Sequence, residues 1–103
     1  MLIILTTTPD RALANTLADK LVNEKLAACV QILPQMTSVY FWEDAVRRDE
    51  EHLLLIKTRK EKFDEVEQFI RANHTYDVPE IVALDPWNVS GPYKEWLENY
   101  LGT

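Results

Sequence analysis

Four segments, LIIL at 2–5, ACVQIL at 28–33, LLLI at 53–56 and IVAL at 81–84, are almost unbroken apolar runs. Each is short enough to be a strand and rich in β-branched residues. Side chains alternate between the two faces of a strand, so such runs make both faces of a sheet apolar. At about 25 cal/mol per Å², leaving even 400 Å² of that surface in water forfeits on the order of 10 kcal/mol. A chain built on these strands must therefore cover both faces of its sheet.

The intervening segments supply one cover. Thr8-Pro9-Asp10 reads as a helix start, with a hydroxyl at the cap and Pro at the first position. Leu13, Leu17 and Leu21, flanked by Ala14 and Ala18, form its apolar stripe, which ends near Lys25. Thr58 and Glu61 have the spacing of a capping box opening a second helix, whose buried face is Phe63, Val66, Phe69 and Ile70. Between the helices, strand two (27–33) bends at Pro34 and resumes as TSVYFW, turns at Glu43-Asp44-Ala45, and returns as a third strand over 52–58. EIVALDPW makes the fourth strand, and Ser90-Gly91-Pro92 starts a last helix carrying Tyr93, Trp96, Leu97, Tyr100 and Leu101. The order is β-α-β-β-α-β plus a C-terminal helix, an α+β ferredoxin-like sandwich. With 103 residues and no linker, repeat or low-complexity tract, residues 1–103 read as a single domain.

In that plan both internal helices lie on one face of the sheet. The terminal helix can roof only part of the other, so the remainder predicts a closed homo-oligomer in which copies press their sheets together. The aromatic residues Tyr40, Phe41, Trp42, Trp87 and Trp96 fit such contacts, because interfaces favour Tyr and Trp.

Charge narrows the partners. A net charge of −6 argues against nucleic acid, whose phosphates demand a basic face. MLIILTTTPD is too short for a membrane span and has no basic n-region, and a single cysteine predicts a reducing, cytoplasmic setting. Enzyme chemistry has little to stand on: two histidines and one cysteine in separate segments form no HExxH, nucleophile elbow or phosphate loop. Acylphosphatase shares the β-α-β-β-α-β order, but here Arg11 falls inside the first helix instead of in a phosphate cradle.

The densest group of functional side chains is HTYDVPE at 74–80. His74, Asp77 and Glu80 could ligate Cu(II) or another divalent cation; equally, His74 could cap a helix end and the rest form a turn into the last strand. Cys29 is either a soft-metal ligand or a small core residue. His52, after the charged run RDEE, reads as a solvated or interface residue.

LAACVQILP, TSVYFWED, DEEHLLLIKTR, HTYDVPEIVAL and YKEWL, in this order, resemble the signature segments of the CutA divalent-cation (copper) tolerance family. The resemblance implies a ferredoxin-like protomer in a compact homotrimer of PII-like architecture. It also implies a role in tolerance to copper and other divalent metals, with no enzymatic activity and no required cofactor. An alternative implied function is a PII-like signalling or anchoring module, binding a small metabolite or a protein at clefts between subunits. The chain departs from the family pattern at Gln35 and Asp44, where relatives often have Gly, and at Thr75, where they usually have Pro. Some relatives also carry a cysteine near the end of the first strand, where this chain has Thr6, Thr7 and Thr8.

Overall fold

The computed structural model describes residues 1–102. Strand β1 (Leu2–Thr8) leads into helix α1 (Arg11–Asn23), then come β2 (Cys29–Ile32), β3 (Met36–Trp42) and β4 (Ala45–Thr58). Helix α2 (Phe63–Asn73), strand β5 (Val82–Leu84) and helix α3 (Gly91–Leu101) complete the chain. The sheet runs β2-β4-β1-β5, and β3 pairs with the first half of β4. All pairings are antiparallel.

This is the ferredoxin-like plan with one strand divided. Pro34 cannot donate to a ladder, so β2 stops at Ile32 and β3 starts at Met36, both along the same edge of β4. At the tip, Glu43 and Asp44 have φ of 50° and 63°. Two left-handed residues in sequence give a two-residue turn whose twist matches that of the strands it joins.

Register assigns the faces. Leu2, Ile4, Thr6 and Thr8 lie opposite Thr58, Ile56, Leu54 and His52. On this face Ile4, Leu54 and Ile56 meet Leu17 and Leu21 of α1 and Val66 and Ile70 of α2, all fully buried. Ile3, Leu5, Leu53 and Leu55 point the other way and remain half-buried, while Val82 and Leu84 of β5 are exposed. Helix α3 covers one end of this open face: Leu97 and Leu101 pack on Ala28, and the Lys57 ammonium sits 5.3 Å from the Tyr93 ring centre. The rest of the face carries the apolar surface expected from the unbroken runs.

Both helix starts differ from expectation. Asp10, not Thr8, caps α1, its carboxylate accepting from the Leu13 amide at 2.8 Å while the Thr8 hydroxyl donates to the Asp10 carbonyl. The capping box at Thr58 does not form. Thr58 is the last residue of β4 and faces the core, so its hydroxyl donates to the Leu26 carbonyl at 2.7 Å instead. The chain then makes a 3₁₀ turn over Lys60–Lys62 before α2 begins, with Asp64 and Glu65 near its positive end.

Candidate functional site

Strand β4 is twice as long as its partner β1, which pairs only with His52–Thr58. The first half of β4 and all of β3 therefore project beyond the sheet as a two-stranded arm. The segment from His74 to Ile81 returns beside this arm on its way from α2 to β5. A groove of about 740 Å³ opens between them, lined by Thr7, Tyr40, Trp42, Glu43, Glu51, Tyr76, Asp77 and Glu80 among others.

His74, behind the lining, holds the segment that forms one wall. It caps α2, its amide donating to the Ile70 carbonyl at 2.9 Å. The ring Nε2 lies 2.7 Å from the Thr7 carbonyl and Nδ1 lies 3.0 Å from the Tyr76 amide nitrogen. A carbonyl only accepts and an amide N–H only donates, so the proton sits on Nε2 and Nδ1 is the acceptor. β5 pairs only with Ile3, Ile4 and Leu5, so it ends short of Thr7, and the imidazole satisfies the carbonyl that β5 leaves open.

The same contacts place Tyr76. Its ring lies 4.7 Å from that of His74, and its hydroxyl donates to Glu51 Oε2 at 2.7 Å. Glu51 is only 7% exposed although it sits in a charged run. Burial, together with the Glu51 carboxylate, pushes the Tyr76 hydroxyl well above the ordinary tyrosine range. On the arm, the Tyr40 hydroxyl donates to Asp49, a bond that likewise raises the Tyr40 hydroxyl. Arg47 Nε donates to the Trp42 carbonyl at 2.9 Å, and Trp42 Nε1 donates to Glu43 at 3.0 Å.

The raised Tyr76 hydroxyl has a consequence for stability. Folding favours its neutral form, so this contribution is complete below the ordinary value of 10.0 and declines as pH rises past it. The alkaline loss of stability should therefore be steeper in the parent than in Tyr76→Phe, as read by urea midpoints between pH 8 and pH 11. Parallel profiles would contradict the Tyr76–Glu51 bond.

Among the four residues anticipated as metal ligands, the groove brings together two. Asp77 and Glu80 line it. His74 does not present a free lone pair, because Nδ1 accepts from Tyr76 and Nε2 carries its proton to Thr7. Cys29 lies opposite Lys57, level with Ile3, so it is two strands across from Thr7 and about 13 Å further along the strand direction at ordinary strand rise. It is half-buried at the sheet edge and takes no part in the groove. Among the described residues no three His, Cys, Asp or Glu side chains converge to hold a metal ion. His52 is also placed differently from expectation: it is buried, with Nδ1 donating to the Leu33 carbonyl at 3.0 Å, and it ties the β2–β3 bend to β4.

Sequence reasoning passed over Glu51 and Asp49, and read Tyr40 only as an interface ring. The available signal was parity: Glu51 is in step with Leu53 and Leu55, so it continues their face toward the groove.

Comparison with known proteins agrees with the fold and the order of these segments. The family model described as CutA1 divalent ion tolerance protein matches residues 2–100. The chain belongs to the CutA1 family. The divalent-cation tolerance protein CutA of Thermus thermophilus is 43% identical over 100 residues, covering 97% of both chains. Its solved structure superposes with a TM-score of 0.94 over 99% of this chain and 100% of that one. A chloroplastic protein CutA of Arabidopsis thaliana is 46% identical over 98 residues, which are 95% of this chain and 54% of that protein. The chain thus spans about half the length of the plant relatives it matches. A structure from Archaeoglobus fulgidus, described as a periplasmic divalent cation tolerance protein CutA, gives a TM-score of 0.95 at 32% identity, covering 99% of this chain and 100% of that one. The family is named for tolerance to divalent ions and not for a reaction. Among the described residues no helix is long and apolar enough to cross a membrane.

Proposed function

We propose that this CutA1 protein acts in the cytoplasm as a homotrimer in divalent-cation tolerance, engaging cations such as Cu(II) weakly through groove carboxylates and requiring no resident cofactor. The observation that carries the reading is the lining of the groove. It includes the carboxylates of Glu43, Glu51, Asp77 and Glu80, with no Lys, Arg or His side chain. Asp77 and Glu80 are exposed at its rim, where an ion can keep most of its water. His74 shapes the turn that carries them and is not itself a ligand. Tolerance on this reading comes from loose, reversible loading of the groove and not from a closed metal centre.

The trimer is supported by the uncovered surface. Phe41 and Val46 lie opposite each other on the arm, 69% and 74% exposed, and Trp87 is 96% exposed. Phe41 and Val46 are in step along β4 with Leu54 and Ile56, while Val82 and Leu84 lie on the open face, so the protomer offers two apolar patches, and a head-to-tail contact of arm on sheet closes into a ring. The cytoplasmic setting is supported by the single free cysteine.

Calorimetric titration with Cu(II) and Zn(II) tests the cation reading. Weak saturable binding is expected in the parent, and removing both rim charges in Asp77→Asn/Glu80→Gln should weaken it by about tenfold or more. Absent binding, or undiminished binding in the double variant, would overturn the assignment.

A further inference from the structure

We infer that the same groove also receives a small organic cation, bearing a primary ammonium or guanidinium group, with Glu51 as its counter-ion and the rings of Tyr40 and Trp42 as its wall. This goes beyond the metal reading and rests on different atoms of the groove.

Glu51 is more than nine-tenths buried and lines the cavity. Its Oε2 accepts from Tyr76, while Oε1 accepts from no group among the described residues and is not sealed from the groove. A buried carboxylate with half its acceptor capacity open favours a positively charged donor. No basic side chain lines the groove, and the Arg47 guanidinium on the arm is committed through Nε to the Trp42 carbonyl. A positively charged donor that enters the groove can therefore pair with Oε1.

Shape and surface decide which cation. A divalent ion stripped of its water needs several ligands at close range, and no three metal-binding side chains converge among the described residues. The cavity of about 740 Å³ falls within the range of small-molecule sites and would hold many waters around a single ion. Tyr40 and Trp42 share one face of the arm, the side that carries Arg47 and Ala45, and both line the groove. Aromatic faces attract cations that shed water easily, such as alkylammonium and guanidinium, and do so best beside a desolvated anion. The cavity thus offers an anion at its floor, rings at its side and a polar rim.

Calorimetry on the assembled protein with 1,4-diaminobutane and with butylguanidinium tests this, using magnesium chloride as the inorganic dication. Saturable binding of one organic cation per chain is expected, with magnesium a poor competitor. Glu51→Gln should weaken it by about tenfold or more, and Trp42→Ala by about threefold or more, as expected for a lost charged hydrogen bond and a lost cation–π contact. Trp42 is nearly half exposed on the arm, so its variant remains informative if Glu51→Gln does not fold. No saturable heat with either probe, equal affinity in both variants, or full displacement by magnesium would overturn the inference. Loss of organic-cation binding beside intact, Asp77/Glu80-dependent metal binding would overturn this inference alone; loss of both would remove the cation reading of the groove.

Discussion

Phe41→Asp is expected to split the assembly, and the released chains, with the open face of their sheet left in water, to unfold. In the protomer the Phe41 ring is 69% exposed, and its cross-strand neighbour Val46 is 74% exposed, so neither contributes to the core that holds the chain together. Burying a phenylalanine against a partner is worth about 1.5–3 kcal/mol, and a closed ring of three makes that contact three times. The substitution therefore removes roughly 5–9 kcal/mol from the ring before the added cost of burying a charge is counted. Size-exclusion chromatography with light scattering should show loss of the parent mass, and far-ultraviolet circular dichroism a loss of folded signal at the same concentration. Retention of the parent mass would mean that this face of the arm lies outside the contact. Val46→Asp should behave in the same way, because the two side chains share a face.

His74→Ala is expected to lower stability by about 2–4 kcal/mol, since it strands the Thr7 carbonyl and deprives the Tyr76 amide of its acceptor. Thr7 is only 6% exposed, so water replaces the imidazole poorly. The turn that the ring organises also carries Tyr76, and through it the bond to Glu51. Equilibrium urea unfolding reads the loss, and a change below about 0.5 kcal/mol would contradict the structural role. A cation-binding role predicts a different outcome: metal affinity would collapse while the urea midpoint stayed in place. The two bonds made by the ring argue for the first result.

The apolar runs disclosed most of the architecture because burial on one or both faces is what makes a strand readable. LIIL and LLLI lie in β1 and β4 as expected, and Pro34 broke the second strand where its missing N–H demanded. The tip at Glu43-Asp44 was legible because these positions require left-handed backbone, which Asp tolerates. The first half of β4 was not legible. AVRRDEE is charged on both parities, since an arm outside the core has no buried face to pattern it. The fourth strand was read over eight residues and forms over three, Val82–Leu84, because Pro79 and Pro86 bracket it and Asp85 turns to the Lys60 ammonium at 2.9 Å.

The site was readable only in part. HTYDVPE stood out by composition, and Asp77 and Glu80 do line the groove. The role of His74 could not be read locally, because its partner Thr7 is 67 residues away in sequence. Glu51 was hidden for a related reason: among the charges of RDEE, nothing nearby marks the one that tertiary packing buries.

Sedimentation equilibrium over a dilution series reaching micromolar chain tests the central claim most directly, because a sheet apolar on both faces is stable only when copies cover it. The expected result is three times the chain mass throughout, with dissociation, where it occurs, accompanied by unfolding. A folded, stable single chain at micromolar concentration would contradict the account.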